Sequence, residues 1–225
     1  MRVSVVRARA AAVLRATAEL ARRAGLPRRS RTPPTLAAVF DRIYRVNYWR
    51  GSESRSGQGS GSEATRALAT RLVELVADLG VISVLDVGCG DAFWMPPLPG
   101  YIGVDVSAEA LTSARARHPD RDYRLVDGTQ LPRCQLVIAR HVMQHLSLAE
   151  GTRLLNLVRE SGAQWLLATT YLRGRNREIA NGRVYFPDLR AQPFNLGEPQ
   201  TLLEDEGGAP AGLQCRLGLW PIGDI

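Results

Sequence analysis

The sequence predicts an α/β domain, a mostly parallel sheet with helices on both of its faces. Three observations carry that prediction. First, strand-like segments recur after residue 80: VISVLDVG (81–88) and YIGVDV (101–106), both continuous apolar runs, then YRLVDG (123–128), QLVIAR (135–140) and QWLLATTY (164–171). Strands buried on both faces show such runs, where half-exposed strands would alternate. Second, helical segments fall between them, AEALTSARARH (108–118) and a stretch from 148 to about 160. Strand and helix in alternation imply crossover connections and hence parallel neighbours. Third, the first run ends in Gly88-Cys89-Gly90. Such glycines permit a tight turn at the carboxyl edge of a sheet, where open α/β sheets bind ligands.

The elements follow in order. Residues 1–25 read as a basic amphipathic helix, with Val3, Val6, Ala10, Val13, Leu14, Leu20, Ala21 and Ala24 at helical spacing. Gly25, Pro27, Pro33 and Pro34 end it. An Arg-rich, acid-poor start suits a transit peptide, or an arm that packs on the body, on a partner or in a homo-oligomer. Residues 36–50 form a second helical stretch, and GSESRSGQGSGSEATR then reads equally as a linker or as a functional loop. A helix over 63–79 places Leu68, Leu72, Leu75, Val76 and Leu79 on one stripe. Ser147 and Glu150 have capping-box spacing, which starts a helix at 148. Residues 172–200 show no period, and so long an irregular stretch is usually functional or disordered. LQCRLGLW (213–220) alternates and predicts a last strand, at an edge or antiparallel. The organisation expected is a basic arm over 1–34, a helical and Gly/Ser-rich lid segment over 35–79, and a core over 80–225 with 172–200 as a substrate lid.

Composition narrows the class. The chain has 225 residues, 45% hydrophobic and 23% charged, like ordinary soluble domains. No apolar run reaches the length of a transmembrane segment. Three cysteines, Cys89, Cys134 and Cys215, form no CxxC pair and no zinc-type spacing, so buried thiols in a cytoplasmic protein without a metal are expected. All 29 basic residues are arginine; residues 1–34 hold nine against one acid, a net of +8, and the remaining 20 face 21 acids, a net of −1. Basic character therefore belongs to the arm, which weakens the case for a nucleic-acid partner.

The chemistry gathers at the ends of the strands. Asp86 closes the first run just before the glycines, and an ionised carboxylate there suits a ligand ammonium. Asp105 ends the second run, where an acid can accept both hydroxyls of a ribose. Asp127-Gly128 ends the third, and VIARHVMQHL (137–146) carries Arg140, His141 and His145 past the fourth. A dinucleotide reading fits less well, because the third glycine of GxGxxG is replaced by Phe93.

LDVGCG, GVDVS, DGTQLP and VIARHVMQHL, in this order over roughly 80–171, resemble a class I S-adenosylmethionine-dependent methyltransferase. The resemblance implies a Rossmann-like fold and S-adenosylmethionine as cofactor. It implies that Asp86, Gly88 and Gly90 line the methionine and ribose side, and that Asp105, followed by Val106, holds the ribose. Asp127 and Gly128 would face the adenine, with Arg140 and His141 beneath the cofactor. The flanks YWRGSESRSGQGS, NREIANGRVYFPDLRAQPFNL and LGLW resemble a bacterial subgroup that modifies sugars and specialised metabolites. That narrower resemblance implies a lid containing Trp49, Glu53, Ser54, Ser56, Gly57 and Ser60. It also implies acceptor contacts from Asn176, Gly182 and Phe194, with Tyr171 as a further acceptor-side residue. The subgroup leads one to expect an acid near 141, where this chain has His141.

Methyl transfer from a sulfonium chiefly needs alignment and exclusion of water. A hydroxyl acceptor also needs its proton removed, and a histidine suits that task. His145, beside the capped helix start, is the first choice of base and His141 the second; each also has a structural reading. The expected reaction is O-methylation of a small-molecule acceptor, a sugar or specialised metabolite. N-methylation of a metabolite or peptide, and RNA methylation using the arm, are the alternatives.

Overall fold

The computed structural model describes residues 33–205, 207 and 212–224, so the helix expected over 1–25 lies outside the described residues. Residues 35–225 form one compact unit. In chain order its elements are α1 (Leu36–Arg45), α2 (Ser62–Asp78), β1 (Val84–Val87), β2 (Tyr101–Asp105) and α3 (Ala108–Arg117). β3 (Asp122–Leu125), β4 (Leu136–Ala139), α4 (Leu148–Glu160), β5 (Trp165–Leu172), β6 (Thr201–Glu204) and β7 (Gln214–Pro221) follow. The strands form one seven-stranded sheet in the order β3-β2-β1-β4-β5-β7-β6. The first five pair in parallel, and β7 runs antiparallel between β5 and β6. The order turns back at β1: β2 lies on one side and β4 on the other, with Asp86 facing Gly103 and Ile138. Such a switch point opens a crevice at the carboxyl ends of the strands.

Burial explains the runs. All four residues of β1 and of β4 are buried. Leu68, Leu72 and Val76 of α2 cover one face of the sheet, packing with Val84, Leu136, Ile138 and Leu167. Leu154, Leu155 and Val158 of α4 cover the other, with Leu85, Val137 and Ala139. Helices on both faces are thus observed. The connection from β1 to β2 contains no helix, and Met95, Trp94 and Leu98 from that loop pack beside α2 instead.

The termini of the helices obey local chemistry. Thr35, Ser107 and Ser147 each accept a hydrogen bond from a first-turn N–H, of Ala38, Ala110 and Glu150 respectively. The capping box at 147 is only half formed, because the Ser147 N–H donates to Asn181 Oδ1 rather than to Glu150. The Ser107 hydroxyl also donates to Asp41 Oδ1 of α1 at 2.8 Å, which ties α1 to the start of α3.

One expectation here needs correction. The helical stretch over 36–50 ends at Arg45; Asn47 and Arg50 then take positive φ and turn the chain. LQCRLGLW forms β7 and is antiparallel, one of the two alternatives expected, and it lies inside the sheet because β6 forms the edge beyond it. β6 has no signal of its own: it is four residues, TLLE, with one of them buried, and it is held by pairing with β7.

Candidate active site

A cavity of about 360 Å³ opens at the carboxyl ends of β1, β2 and β4. Of the residues expected on the cofactor side, Trp49, Ser56, Gly57, Asp86, Gly88, Asp105, Val106, Gly128 and Arg140 line it, as do both candidate bases, His141 and His145. Gly88 and Gly90 explain why glycine is needed there. Both take positive φ, and a Cβ on Gly88 would lie 2.7 Å from Val142 Cγ2. Gly90 is not on the wall; its N–H donates to Asp105 Oδ2 at 3.0 Å and so fixes that carboxylate from below. The Ser107 N–H donates to the other oxygen at 2.8 Å. Burial pushes the Asp105 carboxyl up to about 6, against these backbone donors. Asp86 accepts from the Tyr101 hydroxyl at 2.9 Å, and burial pushes it up to about 7. An acid so poised gains a charge readily when a cation arrives.

The loop over 51–61 forms the roof. Ser56, Gly57, Gln58, Gly59 and Ser60 all reach the cavity. Its anchor is Asp91, a buried carboxylate that accepts from Ser54 Oγ at 2.7 Å, the Arg55 N–H at 2.9 Å and Ser56 Oγ at 3.1 Å. Ser54 therefore faces Asp91 rather than the cavity. Glu53 accepts from the N–H and the hydroxyl of Ser62 and caps α2. Tyr44 of α1 shares a 2.8 Å hydrogen bond with Ser56 and also lines the wall. Trp49 lies against the His145 ring at a centroid distance of 4.8 Å, and its indole Nε1 is buried without a partner among the described residues. A buried orphan donor on a cavity wall is a place for a ligand acceptor atom.

Beyond β4 a charged network meets the roof. Arg140 donates to both oxygens of Asp205, at 2.9 and 2.7 Å, and to the Gly59 carbonyl at 2.7 Å. Its guanidinium also sits 4.7 Å over the Trp94 ring. His141, at φ 57°, donates its backbone N–H to Thr169 Oγ1 and brings Nε2 within 3.2 Å of Asp205 Oδ2. Burial opposes ionisation of Asp205, but the His141 hydrogen bond and the Arg140 charge outweigh it and hold the carboxyl below the usual range. Burial and the Arg140 charge hold His141 below the ordinary histidine value, with Asp205 pulling the other way. Cys215 Sγ lies 3.6 Å from His141 Nε2, so His141, Asp205 and Cys215 cluster closely enough to invite a metal reading. Arg140 already takes both Asp205 oxygens, and a cation would have to displace it; the cluster reads as a hydrogen-bond network.

His145 sits in a single 3-10 turn, Met143–His145, so both histidines reach the cavity from one short segment. Its Nδ1 lies 3.1 Å from the Arg183 carbonyl and must donate there. Its Nε2 lies 3.4 Å from Gln144 Nε2, whose Oε1 accepts from the Tyr171 hydroxyl. Burial pushes His145 down to about 4, and the nearby His141 adds to it. Both effects favour the neutral ring, the form that can take a proton.

The remaining expected residues lie elsewhere. Asp127 is exposed beside the cavity in a shallow hollow and is tied to Thr129, so Gly128 alone of that pair reaches the wall. None of the four acceptor-side residues lines the cavity. Tyr171 is wholly buried behind Gln144. Asn176 donates to the carbonyls of Asp188, Ala191 and Gln192 and accepts from the Asp188 N–H, stapling its own segment. Gly182 packs on Val39 and Ile43 of α1, and Phe194 is in the core against Gly151 and Met143. Each satisfies a polar or packing need of the fold. From 172–200 only Val184 reaches the wall. Asp91, Tyr44, Gln144 and Asp205 are the residues that sequence reasoning passed over. Asp91 had a signal, since it directly follows GCG; Asp205 had none.

Residues 85–160 match the model of a family described as a methyltransferase domain. No curated protein matches the sequence. Among solved structures, the chain is similar to magnesium protoporphyrin IX methyltransferase from Synechocystis PCC 6803 with bound SAM. There the TM-score is 0.63 at 11% identity, over 84% of this chain and 98% of that one. The N-methyltransferase NodS from Bradyrhizobium japonicum WM9, with S-adenosyl-l-homocysteine, gives 0.57 at 14% identity, over 84% and 98%. Human N-acetylserotonin methyltransferase with SAM gives 0.55 at 16% identity, over 81% of this chain and 58% of that one. At such identities these likenesses speak to the fold, and the family match speaks to the motif-bearing half of the sheet. The chain carries a methyltransferase domain on the class I S-adenosylmethionine-dependent methyltransferase fold.

Proposed function

We propose that this domain binds S-adenosylmethionine in the cavity and methylates a hydroxyl of a small-molecule acceptor. The observation that carries the reading is the donor set on one wall. Asp86 and Asp105 offer carboxylates, Trp49 Nε1 offers an unpartnered donor, and Val106, Val126, Leu131 and Val142 offer an apolar slot. That set fits a molecule with an ammonium, a carboxylate, a diol and a flat base. When bound, S-adenosylmethionine supplies an electrophilic methyl on a good leaving group.

The residues then divide the work. Asp105 holds the diol, its carboxylate pre-aimed by Gly90 and Ser107. Asp86 becomes fully charged against the ammonium. The roof over 51–61 excludes water, held down by Asp91. A histidine past β4 takes the acceptor's proton. The near-neutral body supports a small acceptor over nucleic acid, a sugar or specialised metabolite by the subgroup resemblance. Among the described residues no helix is long and apolar enough to cross a membrane.

The test is calorimetry with S-adenosylhomocysteine, together with transfer of labelled methyl to a panel of alcohols, phenols, sugars and amines. Binding with labelled products from hydroxyl acceptors is expected. No binding overturns the cofactor reading, and products from amines alone overturn the hydroxyl reading.

A further inference from the structure

We propose that His141 is the base and that Asp205 is its positioning residue, a role that rests on reading the reaction as methyl transfer to a hydroxyl. The two come from distant parts of the chain: His141 follows β4 and Asp205 follows β6. Asp205 Oδ2 lies 3.2 Å from His141 Nε2, and its side chain is 0% exposed where that of His141 keeps 14%. Asp205 is thus sealed away, and His141 is the member that reaches the cavity.

An ionised carboxylate can only accept, so the proton on this ring sits on Nε2. Nδ1 then carries the lone pair, and it has no hydrogen-bond partner among the described residues. Arg140 holds Asp205 from its other edge through both oxygens, and the Gly207 N–H donates to Oδ1 at 3.0 Å. The carboxylate therefore cannot rotate away from the ring. A base oriented by a third group is the arrangement that proton abstraction needs.

His145 is built differently. Its Nδ1 proton is committed to the Arg183 carbonyl, and its Nε2 lone pair faces the Gln144 amide, which Tyr171 orients. Both ring nitrogens are engaged, with Trp49 across one side of the ring. His145 serves as wall and support for the roof.

In the step itself the acceptor O–H proton passes to His141 Nδ1 while the oxygen's electron pair forms the new O–C bond. The C–S electron pair stays on the departing thioether, and the imidazolium, neutralised by Asp205, later returns its proton to water.

The test joins spectroscopy to activity. Long-range ¹H–¹⁵N spectra of the unliganded protein at pH 7.5 should show His141 as the Nε2–H tautomer. In Asp205→Asn, the amide nitrogen in place of Oδ2 donates to Nε2, and the Nδ1–H tautomer should appear. An Nδ1–H or charged His141 in the parent protein overturns the dyad, whether or not an acceptor is known. With the hydroxyl acceptors found by the panel, His141→Gln and Asp205→Asn should each lower kcat at least a hundredfold. His145→Gln should lower it less than tenfold, and S-adenosylhomocysteine affinity in His141→Gln should stay within about fivefold. Loss in His145→Gln with retention in His141→Gln overturns the assignment. Failure of the parent protein to bind S-adenosylhomocysteine overturns instead the methyltransferase reading beneath it.

Discussion

Two irregular segments of this chain look alike in sequence and do different work. The loop over 51–61 and the segment over 172–200 are both polar, rich in glycine or proline, and without a period. The first turns five consecutive residues, from Ser56 to Ser60, to the cavity and hangs from a buried acid. The second sends one residue, Val184, to the wall and spends polar side chains on backbone, Asn176 on its own segment and Asn181 on the start of α4. What separates a roof from a brace is where hydrogen-bonding capacity is satisfied. Asn176 has three backbone carbonyls to serve, and a side chain so engaged has nothing left for a ligand.

That contrast can be broken or sharpened by substitution. The largest effect should come from the wall that the roof covers: Asp105→Ala loses two charge-assisted hydrogen bonds to the ligand and should weaken S-adenosylhomocysteine binding by more than about thirtyfold in calorimetry. Next is a pH effect. With Asp86 near 7 in the empty site, the carboxylate that meets the ligand ammonium forms as pH rises. Affinity should therefore grow about tenfold between about pH 6 and 8, and Asp86→Asn should flatten that rise. A flat profile in the parent protein would remove Asp86 from the ammonium site.

Asp91→Ala releases the roof and takes one carboxylate from the cavity lining, while Asp86 and Asp105 stay in place. Affinity should fall about fivefold, and hydrogen exchange over 51–61 should speed up while that over 172–200 stays as it was. Equal loosening of both segments would erase the distinction drawn between them. The smallest effect on binding should come from Asn176→Ala. Its lost backbone bonds should cost about 2 kcal/mol of stability in urea unfolding, with affinity unchanged within about twofold. A large loss of affinity in that variant would make 172–200 a ligand-contacting segment after all.

How far the sequence reaches follows from the same physics. β1 and β4 are legible because burial on both faces demands an unbroken apolar run, and VLDV and LVIA supply it. Asp86, Gly88 and Asp105 are legible because strand, acid and glycine are contiguous in the chain. Asp205 is not: 65 positions separate it from Arg140, and only the antiparallel return of β7 beside β5 brings them together. The acceptor-side expectations at Asn176, Gly182 and Phe194 failed to reach the cavity for a related reason. A polar, glycine-bearing stretch signals that its side chains have special partners, and it does not say whether those partners are ligand or backbone.

Asp91 also sets a timescale. Its carboxylate joins the roof to the glycine turn after β1 through three hydrogen bonds, two of them from serine hydroxyls and one from a backbone N–H. A ligand that passes beneath the roof by lifting it has to break those three bonds together. On that route, association and dissociation of the spent cofactor share one barrier. Loosening the clamp should raise both rate constants by more than it changes their ratio, so that a domain with a weaker clamp would turn over faster while holding its ligand little worse.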